Sequence, residues 1–191
     1  MKTKTIDVLT ILLVAACGSV SADIVTNFDG GSLDPALQFD EPNSGLGTFS
    51  LDVANNELDV FATGNTDMWT TRNNAPFAWT AKPVVGVGET WIAETHVRIE
   101  TPAVAGKVSG LTVYGGPDGA NAQFGFSLDN WNPAARAVRL QGLGTNAPNI
   151  SVPWANDNVF LRMEVTENTG TGGADVYNFF FKEFAGDGWT Q

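Results

Sequence analysis

Cysteine is almost missing from this chain of 191 residues: Cys17 stands alone, so no disulfide can be made within it and no cysteine cluster can hold a metal. Histidine is equally scarce, with only His96, which excludes a histidine-rich metal site. Basic residues are few. Ten Lys and Arg face 21 Asp and Glu, for a formal net charge of −11. A chain this acidic disfavours nucleic acid and anionic membrane surfaces as partners. Beyond residue 22 there is no strong amphipathic helical pattern. The glycine run Gly115-Gly116-Pro117-Asp118-Gly119 has no following P-loop lysine and no helix to open, so it reads as a hairpin loop rather than a phosphate cradle.

The N-terminus is built differently from the rest. Lys2 and Lys4 precede an apolar stretch, Val8 to Cys17, which is long enough for the core of an export signal and too short to span a bilayer. Ser19-Val20-Ser21-Ala22 offers small residues for cleavage before Asp23. Two readings of this segment stand. Residues 1–22 are a cleaved signal peptide, or Val14-Ala15-Ala16-Cys17 is a bacterial lipobox and Cys17 is lipidated, which is the one route by which a membrane becomes a partner. Either way the protein is expected to leave the cytoplasm, secreted or on the cell surface. Loss of the leader, with Lys2, Lys4 and Asp7 giving it +1, takes the net charge from −11 to −12.

Residues 23–191 read as one domain. Period-2 alternation of apolar and polar residues recurs along 91–100, 108–114, 123–128, 136–141, 159–165 and 176–184. A hairpin is expected earlier, Phe49-Leu51-Val53 turning at 54–56 into Leu58-Val60-Ala62, with further strands at 23–28 and 67–72. Pro and Gly place loops over 29–47 and 142–157. About ten short strands and no helix predict an all-β fold of two packed antiparallel sheets.

Several segments together resemble a known group. Phe28-Asp29-Gly30-Gly31-Ser32-Leu33-Asp34-Pro35 opens the domain, Thr66-Asp67-Met68-Trp69 and Asn74-Ala75-Pro76 follow, and residues 88–97 read G-E-T-W-I-A-E-T-H-V. G-L-T-V-Y-G at 110–115, F-L-R-M-E-V at 160–165 and the closing F-F-F-K-E-F-A-G-D-G-W-T at 179–190 complete the order. This succession resembles the concanavalin A-like lectin/glucanase superfamily, in particular its β-xylosidase C-terminal type of jelly roll, over nearly all of residues 24–191. The resemblance implies a jelly-roll sandwich with one concave sheet that meets carbohydrate. It also implies a further strand after Trp189, so the domain is expected to lack its C-terminal strand or strands.

Function is set by the site, not by the fold. Retaining glucanases of that superfamily carry E-x-D-x-E on one strand, and that motif is absent, so no catalytic residue is assigned. Alternation puts Glu94, His96, Arg98 and Glu100 on one face of their strand, opposite Trp91, Ala93, Thr95, Val97 and Ile99. The bland reading of that face is a solvated row of charges pairing across strands. Six tryptophans supply aromatic surface, either as core or as platforms for the apolar faces of sugars. Trp69 and Trp91 fall among core neighbours; Trp131 and Trp154 lie in loop sequence beside Asn and Asp. The candidate carbohydrate-binding residues are Arg72, Glu94, His96 and Tyr114, gathered by one concave sheet, and Trp131 from a loop. No cofactor is expected; Asp29, Asp34 and Asp40 offer oxygen ligands for a structural calcium, against a commoner role capping turns. The expected function is that of a secreted, non-catalytic carbohydrate-binding-like domain. A divergent glycoside hydrolase or lyase of the same class, and a structural or adhesive cell-surface domain without a sugar ligand, are the alternatives. Oligomeric state is not legible. Intact-mass measurement of the exported protein decides the leader: a start at Asp23 is expected, and a lipid-modified start at Cys17 is the opposing outcome.

Overall fold

The computed structural model describes residues 9–15, 24–25, 35, 37–40, 47–62, 77–99, 107–114, 122–130, 136–142, 149–168 and 174–191. All regular structure within them is β. Thirteen strands follow in order: β1 (Leu9–Ala15), β2 (Ile24–Val25), β3 (Gln38–Asp40), β4 (Gly47–Asp52), β5 (Glu57–Ala62), β6 (Phe77–Trp79), β7 (Thr90–Arg98), β8 (Lys107–Tyr114), β9 (Ala122–Asn130), β10 (Ala137–Gly142), β11 (Asn149–Pro153), β12 (Asn158–Thr166) and β13 (Val176–Lys182). They form a five-stranded sheet in the order β13-β12-β7-β1-β2 and a four-stranded sheet in the order β11-β10-β9-β8. Two small pairs, β3 with β6 and β4 with β5, stand beside them. Every pairing is antiparallel. The all-β sandwich expected from alternation is the fold observed.

Its cause is visible in β7 and β12. Both bury every second residue along nine positions. Their inward residues, Trp91, Ala93 and Val97 with Val159, Leu161, Met163 and Val165, meet Leu111, Phe126, Leu128 and Val138 from the facing sheet in one apolar cluster. Val97, Leu128, Val159, Leu161 and Val165 are completely buried. A second, smaller core joins the two-stranded pairs, with Leu37 and Leu58 buried among Phe39, Phe49 and Val60. The β4–β5 turn is fixed by Asp52, whose Oδ1 accepts from the amides of Ala54 and Asn55 at 3.0 and 3.1 Å, while Asn56 takes the left-handed conformation at φ 56°.

Four strands were not legible in the sequence. Residues 149–153, expected as loop, form the edge strand β11, and β3 and β6 are likewise three-residue strands in Pro-rich surroundings. An edge strand has only one neighbour, tolerates proline and stays exposed, so it leaves little signature; all five residues of β11 are exposed, Ile150 by 57%. The fourth is β1. The apolar stretch near the N-terminus lies as a strand beside β7, in register from Leu9 opposite Val97 to Ala15 opposite Trp91, and Ile24–Val25 pair with its other edge.

One end of the sandwich is tied by a buried carboxylate. Glu167 accepts from the Trp91 indole Nε1 at 2.9 Å and from Lys82 Nζ at 2.6 Å. Its backbone binds the preceding turn on both sides, with Gly88 N donating to its carbonyl at 2.7 Å and its own amide donating to Glu89 O at 3.0 Å. Gly88 takes φ +82°, a left-handed value that a side chain would resist. Truncating the fully buried Leu161 to alanine is expected to cost about 2–5 kcal/mol; denaturant titration measures it, and a loss near zero would mean that this cluster is not the core.

Candidate functional site

The polar side of the β7–β12–β13 ladder is the candidate site. Cross-strand register places Glu94 opposite Arg162, which faces Phe180, and places His96 opposite Phe160, which faces Lys182. These side chains alternate with the buried row, so the sheet must present them away from the core. Arg162 binds both neighbouring carboxylates, Nη1 to Glu94 Oε1 at 3.1 Å and Nη2 to Glu164 Oε1 at 2.6 Å. Arg98 pairs with Glu57 at 3.1 Å. The His96 and Phe160 rings stack at 4.1 Å between centroids, 11° from parallel.

Trp189 completes the surface from the chain's last residues. Thr190 bridges Phe181 by two backbone hydrogen bonds, of 2.8 and 2.9 Å, which lays this segment along β13. The indole then lies over two cations, 5.6 Å from Arg162 Cζ and 4.5 Å from Lys182 Nζ. Lys182 also stands 5.5 Å from the Phe160 ring. Cation–π contact of this kind holds an aromatic ring flat over charged side chains. Trp189 is half-buried, so part of the ring faces solvent. Gln191 Nε2 reaches Asn178 Oδ1 at 3.4 Å beside it.

The expected residues divide. Glu94 and His96 are both on this face, half-buried, with the alternation foreseen. Tyr114 ends β8, paired with Ala122 across a register shift, in the opposite sheet. One sheet therefore does not gather Tyr114 with Glu94 and His96. The reason is the core: β7 and β8 each bury an apolar row, Val97 on one and Leu111 on the other, and they pack face to face from different sheets. Arg72 and Trp131 lie outside the described residues, as do Trp69, Asp29 and Asp34; Asp40 ends β3. Trp91 is core, as expected. Trp154 also serves packing, since its Nε1 donates to Asn158 O at 2.8 Å and its ring meets Phe181 edge-on at 5.6 Å. Phe160, Arg162, Lys182 and Trp189 are the functional candidates that sequence reasoning did not assign. The alternation of 159–165 gave their parity; only the strand register brings them to His96.

Burial pushes the His96 imidazole below its ordinary range, and Arg98 adds to this, while a hydrogen bond with Asn158 and the charge of Asp157 oppose it. His96 Nε2 has no hydrogen-bond partner among the described residues. Comparison with family models, with curated proteins and with solved structures finds no match for this chain.

A lowered imidazole pKa means that the unfolded chain takes up this proton before the folded one does. His96 should therefore lower stability as pH falls through the unfolded value of about 6.5. Thermal melting of the protein and of His96→Gln from pH ~7.5 to ~5 tests this. The unsubstituted protein should lose more melting temperature on acidification than the variant; parallel profiles would show that His96 carries no such linkage.

Proposed function

We propose that this chain is an exported, non-catalytic carbohydrate-binding-like domain that meets its glycan on the polar face of β7, β12 and β13. The observation that carries the reading is Trp189, a half-buried indole resting on Arg162 and Lys182 next to the stacked pair His96–Phe160. Pyranose rings expose C–H groups that pack on such aromatic faces, and amide and charged side chains beside the ring serve the hydroxyls. Asn178, Gln191 and Glu94 supply that chemistry here. The resemblance to concanavalin A-like domains supports the same ligand class.

The arrangement speaks for binding rather than turnover. Glycosidic cleavage needs one carboxyl group to deliver a proton and another to attack or activate water. On this face Glu94 and Glu164 are both tied to the Arg162 guanidinium, which satisfies them and fixes their positions. Such a network orients Arg162 under Trp189 rather than presenting free carboxyl groups across a sugar.

A glycan array probed with the exported protein tests the ligand class, and titration of the strongest hit tests the surface. Trp189→Ala and Phe160→Ala should each weaken binding about five-fold, the order of one aromatic contact near 1 kcal/mol. Equal affinity in both variants would move the site elsewhere, with Trp131→Ala and Tyr114→Ala as the next variants. Hydrolysis or elimination of any polysaccharide, lost in Glu94→Gln, would replace this reading with the enzymatic one.

A further inference from the structure

Lys182 differs from four other cations among the described residues. Arg98 is paired with Glu57, Arg162 with Glu94 and Glu164, Lys82 with Glu167, and Arg139 with Asp129. Lys182 has no carboxylate partner among the described residues. Its Nζ donates to the Ala185 carbonyl at 2.6 Å and rests against Trp189 and Phe160. Asp187, across the same turn, is engaged by the backbone, its Oδ2 accepting from Phe184 N at 3.0 Å. In a chain with 21 acidic residues for 10 basic ones, a cation left without a counter-ion beside a binding platform is a specific feature. The ammonium has three donors, and one is used by Ala185, so two remain for a ligand.

We propose that the platform prefers a glycan bearing a single carboxylated sugar, with the carboxylate taken by Lys182 and the sugar ring lying on Trp189; this rests on the carbohydrate reading above. A carboxylate is the complement of an unpaired ammonium, and a hydrogen bond between charged groups is stronger than one between neutral ones. The rest of the molecule limits how much negative charge is accepted. A net charge of −11 repels a polyanion, whereas one carboxylate held within contact of Lys182 feels the near cation more than the screened distant charge. The class is therefore a singly acidic glycan, not a polyuronate.

The test is an array that pairs neutral oligosaccharides with the same oligosaccharides capped by one glucuronic or sialic acid, and adds polyuronates. Capped glycans should bind about tenfold more tightly than their parents, and polyuronates more weakly than capped glycans. The capped-to-neutral ratio should fall towards one in Lys182→Gln and be kept in Lys182→Arg. Should Lys182→Gln fail to fold, salt serves instead: raising it from about 0.05 to about 0.5 M should shrink the ratio with the unsubstituted protein. Equal binding of capped and neutral glycans, a ratio indifferent to Lys182→Gln and to salt, or polyuronates as the best ligands would overturn the proposal and leave the carbohydrate reading standing. Silence across the whole array would overturn both.

Discussion

The ladder between β7 and β12 is the constraint on which the rest depends. Nine residue pairs, from Asn158 opposite Arg98 to Thr166 opposite Thr90, run without a break through the middle of the larger sheet. Because each strand alternates strictly, one register serves two purposes. It aligns Trp91 with Val165 and Val97 with Val159 on the core side. It also aligns Glu94 with Arg162 and His96 with Phe160 on the other. A slip of one residue would send the apolar row to solvent and the charged row into the core. The buried row thus fixes the polar face, although the polar contacts themselves contribute little to stability. Pairs such as Arg98 with Glu57 are partly solvated and contribute at most about 1 kcal/mol each.

What the sequence shows about the fold is what periodicity can carry. Strands buried on one face reveal themselves, so β7, β8, β9, β10, β12 and β13 were legible from their alternation. Elements at edges are not, because a strand that buries nothing has no period to read: β11 is exposed along its whole length. The candidate site was legible by half for a related reason. Parity within a strand is local, and it placed Glu94 and His96 correctly on one side. Which neighbours they meet depends on how strands pair across more than sixty residues of sequence, as in Phe160 with His96. The same gap explains Tyr114. Its parity on β8 was readable, but its sheet was not, since nothing local says whether successive strands lie side by side or face to face. Trp189 depends on a single bridge between Thr190 and Phe181, a contact that no spacing announces.

The electrostatics follow from scarcity. With twice as many acids as bases, Lys82, Arg98, Arg139 and Arg162 each pair with a carboxylate, and these pairs sit at structural joints. Lys82 and Glu167 tie the segment before β7 to the end of β12, with the Trp91 indole sharing the same oxygen. Asp129 and Arg139 join β9 to β10 at 2.8 Å, and Asn149 extends the link to β11. Glu167 and Asp129 are both buried, and a buried carboxylate is tolerable only when its charge is met by donors of this quality.

The apolar stretch near the N-terminus fits two descriptions that composition alone does not separate. An export signal needs an uninterrupted apolar core, and a β-strand can carry such a run as well. Residues 9–15 meet both descriptions, and in the fold they take the position between β7 and β2, with Leu9, Ile11, Leu13 and Ala15 aligned with the buried row of β7. On the export reading, cleavage before Asp23 takes this strand away and leaves the amides and carbonyls of Trp91 to Val97 without their partners on that side. An open edge along a central, apolar-backed strand is a site for adventitious pairing. The folded precursor and the processed protein would therefore differ at the edge of the very strand that carries Glu94 and His96. Because β12 holds β7 from its other side through nine pairs, the polar face keeps its register when β1 is gone. Processing on that view changes what borders the site and leaves the arrangement of Glu94, Arg162, His96 and Phe160 in place.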